Sequence, residues 1–383
     1  MSKIIEYLNK RKVRLIKVYN IFNNRSYNGY SKKVLLSGIC KYYRRDMYDK
    51  FRWCVMEMLL FKYHEKGICL VTNLLNRMRI LIMEEILFSS NVEVIIEAIQ
   101  MIESINQKTM TIEEIAKRLY SFCEIVKDCN RSRTVSYFKN WFRNEGEAGF
   151  KIPFEVPEIP ENDENNMGYE RVVSFKKKGD SVKLLQLGEL LLNALDEEEP
   201  HEKMRLIIRL YWEFIKIKEG SGRRYRRTKG IYLFWEIIDY HMKIKANKIG
   251  EGMGHKWDVI FKFGLNQYFR ETLKERHAFG MWMLLFCVYY VSIDWNTETR
   301  KERDLLCDMN VVMDYIKERE NIDIQVVEDF VIKDWHVNRK YDKERFARVG
   351  AYVKNEKNQV VDEKLYNRMK QYYINKNTHI GGR

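Results

Sequence analysis

The sequence predicts an all-α, or mainly α, protein made of two helical domains. Apolar residues recur at the three- and four-residue spacing of an α-helix along most of the 383 residues, and the alternation typical of β-strands is weak. The chain contains only four prolines, so long stretches lack helix breakers. Three of them, Pro153, Pro157 and Pro160, stand close together and precede an acidic, asparagine-rich run.

These prolines predict a linker between the domains. Proline removes a backbone hydrogen-bond donor, and the run at 161–166 has little apolar surface to bury. We therefore expect an N-terminal helical domain over residues 1–150, an exposed linker over 151–179 and a C-terminal helical domain over 180–383.

Three signals predict helices in the first domain. Apolar residues form one stripe through 47–59 and a second through 74–86. Thr111 and Glu114 fit the S/T-x-x-E pattern of a capping box, which predicts a helix that begins there and runs toward Val126.

The second domain shows longer helical patterns. A leucine-rich stretch over 182–195 ends at an acidic run. The next pattern, over 202–218, is predicted to pack Trp212 among its apolar residues. Residues 231–244 are apolar on nearly all sides, which predicts a central helix. Three glycines then predict a turn between two helices: Gly250, Gly252 and Gly254. Further helical patterns cover 257–275 and 278–293.

Composition favours an intracellular protein. The seven cysteines are scattered without a CxxC pair, which is typical of a reducing compartment, here the cytoplasm or nucleus. The uncharged stretch at 278–293 is shorter than the roughly 20 residues of a spanning helix, so we expect a buried helix and no membrane association. Abundant Lys, Asn, Ile and Tyr suit an AT-rich genome, such as that of a large DNA virus, with the host cell or virion as the location.

The net charge of +14 predicts an acidic partner, and nucleic acid is the commonest one. The strongest local signal has five cations in seven residues between flanking glycines, and we call residues 223–229 the basic segment. Arginine matches phosphate geometry and tyrosine offers a stacking face, so the segment is predicted to follow a phosphate backbone. A solvated inter-helix loop and a nuclear-import patch remain alternatives. The predicted contact residues are Arg223, Arg224, Tyr225, Arg226, Arg227 and Lys229.

Two further basic clusters extend the predicted interface. Arg44 and Arg45 belong to the first, and His336, Arg339 and Lys340 to the second. Each cluster alone is also typical of ordinary helix surfaces. Together with the net charge, they predict binding of nucleic acid, DNA in preference to RNA.

No motif predicts a catalytic centre, a metal site or a cofactor. The glycines at 250–254 do not fit a phosphate-binding loop, and the cysteines and histidines form no zinc-ligand quartet. Asp334 and His336 are the best acid–base candidates, because residues two apart can share a turn. The sequence favours a non-catalytic role, and an enzyme with a site assembled from distant residues remains open.

Two segments resemble a known family. Residues 37–54 read SGICKYYRRDMYDKFRWC and residues 72–86 read TNLLNRMRILIMEEI. They resemble the start of the C-terminal helical region of the RarA/MgsA family of clamp-loader-like ATPases, in which an Arg precedes an acidic pair, here Arg77 and Glu84-Glu85. Residues 334–353 resemble a tail motif of related ATPases. The chain lacks the ATPase module, so the resemblance implies an oligomerising, DNA-associated helical collar.

At helical spacing, Asn73, Arg77 and Glu84 share one face, predicted to contact a second copy or a replication protein, with a solvated face as the alternative. The sequence thus predicts a non-catalytic nucleic-acid-binding accessory protein of DNA replication or repair. The first alternative is a structural or scaffold protein, such as a virion component or assembly adaptor. The second is a nucleic-acid enzyme whose site is assembled from distant residues.

Overall fold

The computed structural model of the chain describes most of its first 270 residues and one later helix. The described residues are 26, 30–63, 67–86, 92–127, 129, 135, 170–177, 180–217, 229–270, 284, 285, 288 and 308–318. They form helices and contain no β-strand, which confirms the predicted mainly α class. The α-helices are α1 (Lys32–Arg44), α2 (Tyr48–Leu60), α3 (Ile68–Leu81), α4 (Val92–Glu103), α5 (Ile112–Lys127), α6 (Val182–Asp196), α7 (Pro200–Lys216), α8 (Lys229–Ile249), α9 (Met253–Arg270) and α10 (Met309–Glu318).

The chain divides into two compact units. The first unit comprises Met1–Tyr137 and Trp295–Arg383, and the second comprises Phe138–Asp294. The first unit contains α1–α5 and α10, because α10 packs against α5. The sequence grouped α10 with the second domain, and a contact between such distant parts of the chain leaves no local signal.

Most of the predicted linker lies outside the described residues. Its last part forms a short 3-10 helix at Glu170–Phe175. Val172 is fully buried there and lies close to Gly188 of α6. This end of the linker therefore packs on the second unit through an apolar side chain.

Helix α2 lies at the centre of the first unit. It contacts α1, α3 and α5, and its side chains are buried on successive faces, including Phe51, Trp53, Val55 and Met56. The predicted apolar stripe is therefore only part of the buried surface of α2. Each such side chain contributes roughly 1.5–3 kcal/mol by its burial.

The capping box at the start of α5 is confirmed. The backbone N–H of Glu114 donates to the Thr111 hydroxyl over 3.2 Å, and the backbone N–H of Thr111 donates to the Glu114 carboxylate over 2.7 Å. These bonds satisfy two backbone donors that an α-helix leaves unpaired at its first turn.

Helix α8 is the centre of the second unit, as predicted, and contacts α6, α7 and α9. Its core is aromatic: the rings of Tyr211 and Phe234 lie 5.4 Å apart, and those of Trp235 and Tyr268 also lie 5.4 Å apart. The hydroxyls of Tyr211 and Tyr268 share a hydrogen bond of 3.0 Å. Edge-on aromatic pairs of this kind each add about 0.5–1.5 kcal/mol beyond the area they bury.

One face of α8 is exposed, although the sequence predicted an apolar surface on nearly all sides. Tyr232, Glu236, Tyr240 and Ile244 follow one another at four-residue spacing along this face. The prediction was wrong here because tyrosine and isoleucine read as core residues in a sequence. The predicted turn after α8 is confirmed, and Gly252 adopts a φ of +77° in it, a conformation that favours glycine.

Candidate nucleic-acid interface

Much of the predicted interface lies outside the described residues. This holds for Arg223, Arg224, Tyr225, Arg226 and Arg227 of the basic segment, and for Asp334, His336, Arg339 and Lys340. Lys229 is the first residue of α8. The structure describes α7 and α8, the helices that precede and follow this segment in the chain.

The ends of these two helices lie side by side. A Cβ atom on Gly230, in the first turn of α8, would stand 2.8 Å from the carbonyl oxygen of Phe214 in the last turn of α7. The rings of Phe214 and Phe234 lie 5.3 Å apart. Only glycine allows so close an approach of two backbones. The described residues on either side of 218–228 therefore lie close together.

Helix α7 starts with strong local signals. Its first residue is Pro200, whose fixed φ suits the first turn, and the Glu199 carboxylate accepts a 2.6 Å hydrogen bond from the backbone N–H of Glu202. These signals fix where α7 begins.

Two aromatic side chains, one in α7 and one in α8, are exposed. Trp212 in α7 is 40% exposed and Tyr232 in α8 is 37% exposed, whereas their neighbours Tyr211 and Leu233 are buried. The sequence predicted Trp212 to be packed, and the structure corrects this. Adjacent residues of a helix point about 100° apart, so the core that takes Tyr211 turns Trp212 outward.

Two arginines share the outer face of α7 with Trp212. Arg205, Arg209 and Trp212 stand at i, i+4 and i+7 and are all at least partly exposed. Arg205 also pairs with Glu202 over 2.8 Å. This face of cations and one indole was missed in the sequence, although its spacing is readable once Trp212 is known to point outward.

The first basic cluster has a different environment. Arg44 is 8% exposed and pairs with Glu85 over 2.5 Å and with Glu84 over 3.5 Å. Burial disfavours its charge, but the two carboxylates outweigh burial and raise the pKa of Arg44 above its usual range. Arg45 is partly exposed and donates to the Lys41 carbonyl over 3.1 Å. Arg44 thus belongs to an internal ion pair that joins α1 to the turn that follows α3.

The predicted partner face is divided in the structure. Asn73 and Arg77 are partly exposed on α3, and Arg77 lies 3.7 Å from the Cys40 sulfur. Glu84 is buried against Arg44, in a π-helical turn that continues α3 over Ile82–Ile86. A π-helical turn contains more residues than an α-helical one, so the spacing that placed Glu84 with Asn73 no longer applies.

A second internal arginine was missed in the sequence. The Arg52 guanidinium lies over the rings of Tyr48, Tyr120 and Tyr315, at 5.0, 5.1 and 4.3 Å from their centroids. It also donates to the Glu124 carboxylate over 2.8 Å. This cluster joins α10 to α2 and α5. Tyr315 is far from the other residues in sequence, so no local pattern could reveal it.

Cations also gather at the C-terminal end of α6. Arg171 donates to Asp196 over 3.0 Å, and the Lys245 ammonium donates to the Leu195 carbonyl over 3.0 Å. The His241 Nε2 lies 3.7 Å from an Asp196 oxygen. Positive charge stabilises this end of a helix, where backbone carbonyls lack partners. The cluster therefore stabilises the fold of the second unit.

His241 is neutral at pH 7 in this cluster. Burial, assisted by the positive charge of Lys245, lowers the pKa of His241 to about 4, and the opposing effect of Asp196 is smaller. Burial also lowers the pKa of Lys203, to which Lys245 adds its repulsion. Each of these bases is thus harder to protonate than it would be in water.

Comparisons of the chain with protein-family models, with curated proteins and with solved structures find no match. Within the described part of the chain, no cluster of three or more His, Cys, Asp or Glu side chains could hold a metal ion. No described helix is long and apolar enough to span a membrane. A function for the protein must therefore be sought in the residues of this chain.

Proposed function

We propose that the chain is a non-catalytic nucleic-acid-binding accessory protein that holds the phosphate backbone through the second unit. The observation that carries this proposal is the position of the basic segment, between two helix ends held together at Gly230. Five like charges within seven residues repel one another. A polyanion relieves this repulsion, and binding also releases the counterions of the nucleic acid.

The charges of the helix that precedes the basic segment in the chain support the proposal. Arg205 and Arg209 continue the positive charge along the outer face of α7. Arg44 lies inside the first unit and is neutralised by Glu84 and Glu85, so we leave it out of the proposed surface. The proposed contacts are thus centred on α7, the basic segment and the start of α8.

The biological setting is proposed from the sequence alone. The resemblance to the helical region of the RarA/MgsA ATPases favours DNA over RNA, and a role in replication or repair. A contact with a second copy, or with a replication protein, would involve the partly exposed Asn73 and Arg77 on α3.

The test is a titration of binding against salt. We expect log K for a labelled DNA to fall linearly with log salt, by about 0.7 for each phosphate contacted on a single strand and about 0.9 on a duplex. Changing Arg223, Arg224, Arg226 and Arg227 together to Ala should weaken binding and flatten the slope.

A charge-matched variant provides the control. Replacing Lys33, Lys108, Lys117 and Arg118 by Ala removes the same charge from at least partly exposed positions of the first unit. This variant should keep most of the affinity and slope. No binding at low salt, or equal losses in the two variants, would contradict the proposed function.

A further inference from the structure

We infer that α8 carries an interaction surface of its own, which binds the same surface of a second copy of this chain in antiparallel orientation. We call this surface the α8 face and define it by Glu236, Tyr240, Lys243 and Ile244. The inference goes beyond the proposed function, because its partner is a protein and its contacts do not include the basic segment.

The α8 face lies on one side of a single helix. Its four residues stand at i, i+4, i+7 and i+8, so they fall within about 100° of one another around the helix axis. On the opposite side, Trp235, Ile238 and Met242 are buried in the core of the second unit. The packing of this core therefore turns the α8 face outward.

The centre of the α8 face is apolar and exposed. Tyr240 is 56% exposed, more than any other large apolar side chain that the structure describes, and Ile244, one turn further, is 40% exposed. The ring of Phe175 lies edge-on to that of Tyr240, with 5.3 Å between the centroids, and restricts its motion. A tyrosine held in place loses little side-chain entropy on association, so Tyr240 is suited to the centre of a protein interface.

Charges of opposite sign flank this centre. Glu236 lies one turn before Tyr240 and Lys243 about one turn after it, and the two charged side chains are 42% and 44% exposed. A two-fold axis near Tyr240 would set two α8 helices antiparallel, with Glu236 of each copy facing Lys243 of the other. A parallel pair would instead bring like charges together. The α8 face is thus complementary in charge to a reversed copy of itself, which favours a second copy as its partner.

The ion pairs that these two residues make within the chain leave them available for a partner. Glu236 pairs with the exposed Lys177, and such a surface pair contributes little to stability. Lys243 pairs with Asp258 over 3.0 Å, but Asp258 also pairs with Lys262 over 3.2 Å. When Lys243 turns toward a second copy, Asp258 therefore keeps a cation beside it.

Sedimentation equilibrium of the full chain, without nucleic acid, tests the inference. The unmodified protein should show a monomer–dimer equilibrium. Tyr240→Ala should raise the dissociation constant of the dimer about 30-fold or more, the loss typical of a central interface residue. Tyr240→Phe keeps the ring and should retain most of the affinity. Val311→Ala shortens an exposed apolar side chain of α10 in the first unit, and should leave the dissociation constant unchanged.

Charge reversal tests the antiparallel arrangement. Glu236→Lys and Lys243→Glu each place like charges face to face twice in a dimer, and each should raise its dissociation constant about 5- to 30-fold. An equal mixture of these two variants restores opposite charges at both contacts, and so does the variant that carries both changes. Both should associate nearly as the unmodified protein does. A variant that had failed to fold would not regain association on mixing, so this rescue separates a contact from a loss of folding.

Three outcomes would overturn the inference. The first is a chain that stays monomeric at every concentration. The second is a dimer that Tyr240→Ala leaves intact; if Arg77→Glu abolishes that dimer, the contact lies on α3 instead. The third is a mixture of the two charge variants that associates no better than either alone. None of these results bears on the proposed function, which the titration of DNA binding against salt tests separately.

Discussion

The two units differ in where several of their arginines lie. In the first unit Arg44, Arg52 and Arg79 lie largely inside, each against a carboxylate: Glu85, Glu124 and Glu103. In the second unit Arg205 and Arg209 lie on the outer face of α7, beside the exposed Trp212. Net charge alone therefore does not locate an interface, because a buried guanidinium is already neutralised by the carboxylate beside it.

Exposed aromatic side chains follow the same division. Among the described residues, the exposed aromatic side chains are Trp212, Tyr232 and Tyr240, and all three belong to the second unit. The first unit buries its aromatics around α2 and places three tyrosines around Arg52. Cations and aromatics thus hold the first unit together, whereas in the second unit some of them face outward.

The largest expected effect comes from breaking the internal pair of the first unit. Arg44→Met leaves Glu84 and Glu85 buried without their cation, and should lower the free energy of unfolding by about 3–5 kcal/mol. Urea denaturation measures this loss. Nucleic-acid affinity of the folded fraction should not change.

Its neighbour provides the matched control. Arg45→Met changes a partly exposed cation, and we expect a change within about 0.5 kcal/mol. Adding Glu85→Gln to Arg44→Met should restore part of the stability, because one uncompensated carboxylate is removed. Equal stabilities of the Arg44 and Arg45 variants would contradict the contrast between the units.

The second prediction concerns the close contact between Gly230 of α8 and Phe214 of α7. Gly230→Ala forces a methyl group against the Phe214 carbonyl, and should lower the free energy of unfolding by about 1–3 kcal/mol. Gly250→Ala is the control, because the new methyl would meet only the flexible Met253 side chain at 3.5 Å. Thermal unfolding of the two variants measures this difference. Identical melting temperatures would contradict a close contact between Gly230 and the Phe214 carbonyl.

The third prediction is a pH dependence from the second unit. The unfolded chain protonates His241 near pH 6.5, but the folded state does so only near pH 4. Between these values the unfolded state binds more protons, so the free energy of unfolding should decrease as the pH falls from about 6.5 to about 4. Urea denaturation at several pH values measures this.

His241→Gln should reduce that dependence, since glutamine does not titrate. His255→Gln alters an exposed histidine in α9 and serves as the matched substitution. If both variants keep the full dependence, the cluster at the end of α6 does not control it.

The smallest effect on stability is expected at the outer face of α7. Replacing Arg205 and Arg209 together by Ala should change the free energy of unfolding by no more than about 1 kcal/mol, because the exposed pair with Glu202 contributes little. The salt slope for a labelled single-stranded DNA should nevertheless decrease by about 0.7 for each phosphate that no longer pairs with an arginine. A large loss of stability with an unchanged slope would indicate that these arginines stabilise the fold, as the internal arginines of the first unit do, and do not bind phosphate.

Local patterns in the sequence predicted much of the fold. The periodicity over 47–59, the capping box at Thr111 and Glu114, and the turn near Gly252 all correspond to described elements. These features depend on neighbours within one helical turn, so a sequence can show them. The position of α10 against α5 could not be predicted, because it depends on a contact between Tyr315 and distant residues.

The candidate site is only partly readable in the same way. The density of positive charge at 223–229 is a property of the sequence. The close approach of Gly230 to Phe214 depends on how α7 and α8 pack, and the exposure of Trp212 depends on which face of α7 packs on the aromatic core. Neither can be derived from spacing along one helix.

Local sequence patterns are enough to predict the helical class, the starts of several helices and the place of greatest positive charge. Which charges face inward depends on the tertiary structure. Arg44 and Arg45 are adjacent and chemically identical, yet one is buried against Glu84 and Glu85 and the other is partly exposed. The reason is physical: the carboxylates that make burial of a guanidinium tolerable come from another helix, some forty residues along the chain.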